Sequence, residues 1–357
     1  MSSDVFKNYY NNVCTKLNKK IDDFNNGIEI DNELINYNVK LFGNLNSDGK
    51  LVRGTLVNLG YNLIVDDNLD YSYDLALAFE VFQTAILVHD DIIDNADLRR
   101  GKETIHSKNY KKYYKLSGNE KESKKVSESI ALCMGDMGLY FSNRIISSAY
   151  MNDKNLGKVL TYFNDVVLNT IKGELLDVIL PVLEHNNESE NLYDNIMLIY
   201  KLKTAYYTII GPLCSGMLLA GASDEQVNDI VNFGYNVGVA FQIQDDILGI
   251  YSNNESLLKN VGSDVEEFKQ TILYSYVKEQ NEYYDELMKY YGKKINAKQL
   301  TKVQEIFTKS GALDYANSMV EKLFNEALKI LDNIDWISDD KKEILNGFVL
   351  YLMNRKK

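Results

Sequence analysis

Four acidic residues and two adjacent arginines lie together in the stretch LVHDDIIDNADLRRGK, residues 87–102. The residues just before them, LALAFEVFQTAIL, are apolar enough for a buried helix, so Asp90 and Asp91 are expected where solvent is receding. An exposed helix surface also carries charges of both signs, but it has no such apolar approach. Charges in this position need counter-charges, although such an acidic stretch, taken alone, is more often an exposed turn.

The spacing of the first acids fits a divalent metal. Asp90 and Asp94 are four residues apart, so on a helix their side chains stack on one face about 6 Å apart, while Asp91 points roughly 100° away. Two stacked carboxylates repel each other, and a hard divalent cation relieves that repulsion. Oxygen ligands with this separation suit Mg²⁺ that keeps several waters and shares a phosphate.

A second acidic pair follows much later in the chain, in FQIQDDILG, residues 241–249. Asp245 and Asp246 again follow an apolar helical stretch, and only the fold could bring the two pairs together. Two acid-bearing helices that face each other across a helical core would form a negative cavity for several Mg²⁺ ions. Such a cavity suits a polyphosphate.

Basic residues are distributed around both acidic groups. Arginine grips phosphate through a planar fork and lysine acts as a mobile point charge, so a mixed set suits diphosphates. Each cation alone fits a solvated surface, but together they indicate two anion sites, one bridged by metal to the acids and one held by basic residues alone. The candidates are Lys50, Arg53, Arg99, Arg100, Lys203, Lys259 and Lys269.

The elements that must position these residues are predicted to be helices. Apolar residues recur at spacings of three and four, and strand-like alternation is scarce. The only prolines are Pro181 and Pro212, and so few helix breakers favour long helices. The polar breaks are too short to link domains. We expect an all-α protein of roughly ten or more helices in one domain, residues 1–357.

Composition narrows the class of protein further. The net charge of −12 disfavours a nucleic-acid or anionic-membrane binder, although an enclosed basic pocket remains compatible with it. Cys14, Cys133 and Cys214 are odd in number and far apart, which indicates reduced thiols. The stretch MSSDVFKNYYNN lacks an apolar core followed by a small-residue cleavage site, and no run of 18 apolar residues occurs, so we expect no signal peptide. We expect a soluble, cytoplasmic protein that is not integral to a membrane.

Taken in order, these motifs resemble the trans-isoprenyl diphosphate synthase (polyprenyl synthetase) family, which includes farnesyl and geranylgeranyl diphosphate synthases. GKLVRG is similar to the family's Gly-Lys-x-x-Arg motif, DDIIDNADLRRG to its first aspartate-rich motif, and FQIQDD to its second. GELLD and KT, at 173–177 and 203–204, fall in the expected order, and KNVGSDVEEFKQT is similar to a diphosphate-binding loop. The ordered set is specific, although no single motif is.

The resemblance implies an isoprenoid synthase fold around a deep central cavity, with Mg²⁺ as cofactor. An allylic diphosphate would ionise, the double bond of isopentenyl diphosphate would attack the cation, and a proton would be lost. The implied metal ligands are Asp90, Asp91, Asp94 and Asp245. The implied catalytic residues are Asp90, Asp94, Arg99, Lys203, Thr204, Gln242 and Asp245. Isopentenyl diphosphate would be bound by Gly49, Lys50, Arg53, Gln83 and Arg100, and the allylic diphosphate by Arg99, Lys203, Lys259 and Lys269.

Two positions depart from the family pattern. Gly249 stands where the second motif usually ends in Asp, which puts a water-mediated metal contact in doubt. Phe268 replaces the Gly of the usual Glu-Gly-Lys, while Lys269 is retained. Neither change removes a primary role that the resemblance implies.

The resemblance also predicts product length. The growing chain would descend along the helix of Asp90, where Ile86 and Ala85 lie roughly 6–7.5 Å deeper and Phe82 roughly 12 Å deeper. Members that stop at farnesyl often have an aromatic residue at one or both upper positions. Neither is aromatic here, which predicts longer products, with geranylgeranyl as the best single choice and Phe82 as a candidate floor.

Other interpretations and the oligomeric state complete the expectations. The family and an exposed apolar helix face both predict a homodimer. A class I terpene cyclase would share the helical fold and the metal site but would need no second diphosphate site. A non-catalytic partner subunit of a prenyl synthase would have lost acids or cations that are intact here.

Overall fold

The computed structural model describes residues 2–186, 188–252, 261–280 and 282–354. Helices make up nearly all of its regular structure. The first nine are α1 Ser2–Gly27, α2 Glu33–Ser47, α3 Val52–Ile64, α4 Tyr73–Ile93, α5 Ile105–Ser117, α6 Glu120–Ala149, α7 Leu156–His185, α8 Leu192–Ile199 and α9 Gly211–Leu219. The others are α10 Asp224–Tyr251, α11 Ser263–Glu266, α12 Ile272–Gln280, α13 Tyr284–Leu287, α14 Ala297–Lys309, α15 Ala312–Asp332 and α16 Asp339–Met353.

Three short elements interrupt this pattern. A 3₁₀ helix spans Leu69–Ser72, and a π-helix, Tyr200–Ile210, joins α8 to α9. A two-stranded antiparallel hairpin pairs β1, Leu98–Arg99, with β2, Lys102–Glu103. The all-α prediction is therefore confirmed, with this small hairpin as an addition that the sequence pattern did not indicate.

Backbone contacts group the chain into two compact units. One contains residues 8–161 and 212–222, and the other contains residues 1–7, 162–211 and 223–357. The prediction of a single domain stays a prediction. None of the helices in the described residues is both long enough and apolar enough to cross a membrane.

In the unit of residues 8–161 and 212–222, α4 packs on α6 through small residues. A Cβ atom at Gly135 would lie 2.2 Å from Nε2 of His89, and one at Gly138 would lie 2.8 Å from the Cβ of Ala85. The missing side chains let the two helices approach closely, which fixes the direction in which α4 presents its C-terminal acids.

A second close crossing in this unit joins α3 to α9. A Cβ at Gly60 would lie 2.0 Å from the carbonyl oxygen of Leu213, and one at Gly216 would lie 2.0 Å from the carbonyl oxygen of Val57. Each helix therefore carries a glycine against the other helix's backbone. This reciprocal contact fixes the position of α3 relative to α9. The N-terminus of α3 carries the GKLVRG motif.

In the other unit, α10 packs against α15 and against the π-helix. The contact with the π-helix also uses small residues, because a Cβ at Gly238 would lie 2.5 Å from Cα of Ala205. A capping box begins α10, in which the Ser223 side chain accepts from Gln226 N and the Gln226 side chain accepts from Ser223 N. The second acidic pair lies near the other end of this helix.

Both prolines lie inside helical segments. Pro181 lies in the last turns of α7, and Pro212 is the second residue of α9. Pro212 has no N–H to donate to the carbonyl four residues earlier, at Thr208. The backbone before it is π-helical, and Gly211 N donates to Tyr206 O, five residues back. The missing donor at Pro212 is consistent with a widened helix just before it.

Candidate active site

The first acidic group lies at the C-terminal end of α4, where the hairpin folds back on it. Arg99 joins two of its acids, since NH2 donates to Oδ2 of Asp90 at 2.8 Å and Nε donates to Oδ1 of Asp91 at 2.5 Å. The Asp91 side chain is only 3% exposed, and burial raises its pKa to about 6 against the lowering effect of Arg99. Asp91 therefore faces Arg99 in the interior.

Asp94 stands one turn beyond Asp90 and ends α4. Its N–H donates to Asp90 O at 2.9 Å, and both side chains remain partly exposed. This donor set fits Mg²⁺, which binds through one or two carboxylates together with substrate phosphates. Among the described residues, no three His, Cys, Asp or Glu side chains form a ready-made metal cluster.

The hairpin turns the two arginines to different partners. Arg100 and Gly101 both have positive φ, at 53° and 73°, as a two-residue type I′ turn requires. NH1 of Arg100 donates to the carbonyl oxygen of Asp48 at 2.5 Å, next to the GKLVRG motif. Arg99 meets the acids, whereas Arg100 meets the chain that leads into Gly49.

The GKLVRG motif forms the turn into α3. Lys50 is exposed, Arg53 is half-buried, and Leu51, the residue before the helix, has a left-handed backbone with φ 52°. No side chain of the turn caps α3. Instead, the N–H of Gly54 donates to Oε1 of Glu80 on α4, at 2.7 Å.

Glu80 contacts the GKLVRG turn and was missed by motif reasoning. It is 2% exposed and lies three residues before Gln83, which is half-buried on the same helix. The signal that could have found it is an acid inside the apolar run LALAFEVFQTAIL, where an unpaired carboxylate would be costly.

In the other unit, the GELLD and KT motifs meet. Nζ of Lys203 lies 2.7 Å from Oε2 of Glu174 and 2.6 Å from Oδ2 of Asp177. Gly173 permits this approach, because a Cβ there would lie 2.6 Å from the backbone nitrogen of Lys203. The motif order predicted by resemblance thus corresponds to a physical contact between α7 and the π-helix.

Thr204 and Gln242 also come together. Oγ1 of Thr204 donates to Oε1 of Gln242 at 2.5 Å, and Nε2 of Gln242 donates to Oδ1 of Asp246 at 2.8 Å. The hydroxyl of Tyr200 donates to Oδ2 of Asp246. Asp246 is 1% exposed, and burial raises its pKa to about 7 against the lowering effect of the Lys269 charge.

The two acids of the second pair therefore differ in environment. Asp246 is enclosed by its partners, whereas Asp245 is half-buried and more accessible. Helical geometry turns neighbouring side chains about 100° apart, so one acid supports the network while the other faces away from it. Asp245 is thus the more accessible of the two acids, and its role as a metal ligand stays a prediction.

A different acid lies beside the glycine that departs from the second motif. A Cβ at Gly249 would lie 2.9 Å from Oδ2 of Asp264, so that carboxylate lies beside the first atom of any side chain at position 249. Lys269 lies near the same carboxylate, with Nζ 3.8 Å from Oδ1 of Asp264. The space beside Gly249 already contains an acidic oxygen.

Phe268 takes the backbone conformation of the glycine that it replaces. Its φ is 57°, and its ring contacts those of His185, Tyr274 and Tyr291 at centroid distances of 5.9, 5.9 and 6.0 Å. Aromatic packing opposes the cost of the left-handed backbone. The next residue, Lys269, donates its N–H to Asp264 O at 2.9 Å. Lys259 lies outside the described residues.

Left-handed backbone at non-glycine residues occurs in several of the motifs that the resemblance assigns to diphosphate binding. Six non-glycine residues in the described part of the chain have positive φ. Three are Asn, which tolerates this conformation, and the others are Leu51, Arg100 and Phe268. Each of the latter lies within a motif that resemblance assigns to diphosphate binding.

The three product-length candidates have different surroundings on α4. Phe82 and Ala85 are fully buried, and Ile86 is half-buried. Ala85 lies against Gly138 on α6, next to the ring of Phe42. A larger residue at position 85 would press on α6, so Ile86 is the better position for testing the path of a product chain.

Within each unit, the fold therefore brings the predicted residues together. Asp90, Asp91 and Arg99 meet in one unit, and Lys203 meets Glu174 and Asp177 in the other, where Thr204 also meets Gln242. The individual roles assigned to these residues stay predictions.

Comparison with known proteins agrees with this arrangement. The sequence pattern of polyprenyl synthetases matches residues 35–309. A geranylgeranyl diphosphate synthase of Sulfolobus acidocaldarius is 27% identical over 356 residues, 99% of each chain. A geranylfarnesyl diphosphate synthase of Aeropyrum pernix is 28% identical over 287 residues, 79% of this chain and 82% of that protein.

A solved structure shares the fold. The geranylgeranyl pyrophosphate synthase of Corynebacterium glutamicum, determined with isoprenyl diphosphate and magnesium, superposes with a TM-score of 0.86 at 24% identity and covers 98% of this chain and 99% of its own. The fold was predicted here from helical periodicity and from the resemblance of its motifs. With a family match that extends over well more than half of its 357 residues, the chain belongs to the polyprenyl synthetase family.

Proposed function

We propose that this protein condenses isopentenyl diphosphate with an allylic diphosphate to give an all-trans prenyl diphosphate. The observation that carries the proposal is the division of the arginine pair. Arg99 binds the acids at the end of α4, and Arg100 reaches the carbonyl of Asp48 beside the GKLVRG turn. One short hairpin thus supplies a cation to each of two anion sites, as a reaction between two diphosphates needs.

The proposed ligands of Mg²⁺ are Asp90 and Asp94 in one unit and Asp245 in the other. The metal, when bound, neutralises charge on the departing diphosphate. Arg99, Lys203 and Lys269 are the cations proposed to offset the charge of the allylic diphosphate. Glu174 and Asp177 hold the Lys203 ammonium in place, so less of its conformational freedom would be lost when the diphosphate binds.

The oxygens of Thr204 and Gln242 would stabilise the allylic cation through their dipoles. Their hydrogen bond to each other, and that of Gln242 to buried Asp246, fix the direction of both side chains. Gly49, Lys50, Arg53, Gln83 and Arg100 would bind isopentenyl diphosphate. These roles are proposals that the geometry within each unit supports.

The direct test is an assay with isopentenyl diphosphate and an allylic diphosphate, with and without Mg²⁺. We expect pyrophosphate release and prenyl products only when both substrates and the metal are present. Consumption of the allylic diphosphate alone would favour a terpene cyclase. Absence of turnover with every allylic primer would favour a non-catalytic partner subunit.

We propose geranylgeranyl diphosphate as the main product, which the name of the Sulfolobus relative supports. Ile86→Phe should shorten the products, because an aromatic ring would fill the path one turn below Asp90. Phe82→Ala should lengthen them by removing a candidate floor. Chromatography of dephosphorylated products checks both variants. Farnesol alone from the wild type, with isopentenyl diphosphate in excess, would contradict this proposal.

Ala85→Phe should shorten the products as well, but Ala85 lies against Gly138. The added ring would also press α4 away from α6 and lower the melting temperature. Ile86→Phe avoids this contact and is the sharper test. If Phe82→Ala leaves the product length unchanged, the residue that limits chain length lies on another helix.

We propose a homodimer, and an apolar stripe on α7 supports it. Large apolar side chains that are 38–62% exposed follow one another at helical spacing along this helix, namely Leu168, Ile171, Leu175, Val178, Ile179 and Val182. Contiguous apolar surface of this kind is typical of protein interfaces. A second copy of the chain would cover the stripe.

Leu175→Glu should convert the dimer to monomer, because it places a charge within this stripe. Light scattering at micromolar concentration measures the change. Leu116→Glu is the matched control, since Leu116 is 75% exposed on α5, away from the stripe in sequence, and its replacement should leave the mass unchanged. A wild-type monomer would refute the proposal.

We also propose a cytoplasmic location. Cys14, Cys133 and Cys214 carry thiols rather than disulfides, which fits a reducing compartment.

A further inference from the structure

Glu80 is a buried acid in the middle of an apolar helix. It is 2% exposed, and its neighbours on α4 are almost all buried and apolar. An ionised carboxylate in such a place costs several kcal/mol unless hydrogen bonds and cations compensate it. The groups that compensate the buried charge of Glu80 therefore indicate its role.

Both carboxylate oxygens of Glu80 lie against the GKLVRG turn. Oε1 accepts the Gly54 N–H at 2.7 Å and lies 3.3 Å from where a Gly54 Cβ would be. Oε2 lies 3.4 Å from where a Gly49 Cβ would be. Both carboxylate oxygens therefore lie beside the glycines of the motif.

The carboxylate also takes the place of a helix cap. Leu51, the residue before α3, provides no side-chain hydrogen bond to the first turn. The N-terminus of a helix carries unsatisfied N–H groups and partial positive charge, which favour an anion. Glu80 supplies that anion from the neighbouring helix α4.

Two arginines from different elements act on the same carboxylate. Burial raises the pKa of Glu80, whereas the Gly54 N–H and the charges of Arg53 and Arg100 lower it. Burial and the neighbouring Arg99 lower the pKa of Arg100, and the charges of Asp48 and Glu80 oppose that change. The turn that Glu80 holds carries Arg53 beside Gly54 and includes the approach from Asp48, whose carbonyl accepts from Arg100, and the charges of both arginines act on the Glu80 carboxylate.

We propose that Glu80 is a positioning residue for isopentenyl diphosphate: it fixes the turn into α3 and orients Arg53 and Arg100 toward one diphosphate. The inference rests on the proposed function, because it concerns the second-substrate site of that reaction. Glu80 would act through the arginines and would not touch the substrate.

A positioning role and simple electrostatics predict opposite effects of removing the Glu80 charge on the binding of isopentenyl diphosphate. Deleting a negative charge beside two cations makes the site more positive, which should strengthen the binding of a diphosphate. If orientation dominates, the arginines lose their shared partner and binding weakens. The direction of the change in the Michaelis constant therefore distinguishes a positioning role from a mere charge effect.

Glu80→Gln is the main test. Glutamine keeps an oxygen that can accept the Gly54 N–H but removes the charge that the arginines share. We expect the KM for isopentenyl diphosphate to rise by roughly tenfold or more, and the KM for the allylic substrate to change by less than about twofold. The equilibrium Kd for isopentenyl diphosphate alone should rise in parallel with its KM.

Asp153→Asn is the matched acid-to-amide control in the same unit. Oδ2 of Asp153 accepts from the Tyr71 hydroxyl at 2.7 Å, and no proposed substrate residue is involved. Its replacement should leave both Michaelis constants unchanged. If Glu80→Gln does not fold, Glu80→Asp serves instead, because it keeps the charge but withdraws it by one methylene, and it should also raise only the KM for isopentenyl diphosphate.

Arg53→Ala separates the inference from the function on which it rests. A wild type that does not bind or use isopentenyl diphosphate would refute the proposed function. Suppose that the wild type uses isopentenyl diphosphate and that Arg53→Ala weakens its binding. If Glu80→Gln then leaves the KM for isopentenyl diphosphate unchanged or lowers it, only the positioning role of Glu80 is overturned. Equal rises in both Michaelis constants would also overturn it, because they would indicate general damage.

Discussion

Asp245→Asn should lower kcat by roughly 10²–10³-fold with both substrates saturating, because it removes one proposed metal ligand from the group that offsets pyrophosphate charge. Asp245 is partly exposed, whereas Asp246 is buried and hydrogen-bonded to Gln242 and Tyr200, so only Asp245 is proposed as a metal ligand. Steady-state kinetics across a range of Mg²⁺ concentrations measures the effect, and more Mg²⁺ should recover part of the rate.

The same helix provides a matched control. Oδ2 of Asp229 accepts a hydrogen bond from Trp336 Nε1 at 2.9 Å, near the start of α10. Asp229→Asn makes the same chemical change and should alter kcat by less than about twofold. A loss of less than tenfold in Asp245→Asn, or an equal loss in both variants, would count against the metal role.

Gly216→Ala should lower the stability of the protein strongly. The added Cβ would lie 2.0 Å from the carbonyl oxygen of Val57, and a backbone atom in a packed helix cannot move aside as a flexible side chain can. We expect the free energy of unfolding to fall by roughly 3 kcal/mol or more. Thermal denaturation should show a melting temperature lower by roughly 5 °C or more.

Gly157→Ala makes the same change where there is room. Gly157 lies in the first turn of α7, and a Cβ there would meet nothing within 4 Å. Alanine favours a helix more than glycine does, so this variant should keep or slightly raise the melting temperature. Similar melting temperatures for the two variants would contradict the close crossing of α3 and α9.

Much of the fold follows from the sequence because its signals are local. Apolar spacings of three and four set the helices, and the capping box at Ser223 marks the start of α10. The acids and cations of the site could likewise be chosen from their order along the chain. The match over residues 35–309 shows that the chain belongs to the polyprenyl synthetase family.

Other features depend on contacts that no local pattern contains. Glu80 gains its partners only when α4 packs beside the turn into α3, and motif comparison did not select it. The resemblance implies Asp91 as a metal ligand, and the fold buries its side chain against Arg99, a contact that local spacing does not contain. Lys203 meets Asp177 only where a glycine lets α7 approach the π-helix.

The strained backbone at Leu51, Arg100 and Phe268 has a consequence for how this protein can change. Each left-handed residue other than Gly, Asn or Asp costs roughly 1–3 kcal/mol, and glycine would relieve that cost. Selection for heat resistance alone would therefore favour glycine or asparagine at Arg100 and would discard the guanidinium proposed to bind substrate. Variants for use at high temperature therefore need to be ranked by turnover as well as by melting temperature. The substitutions that would relieve this backbone strain lie in the motifs proposed to bind substrate.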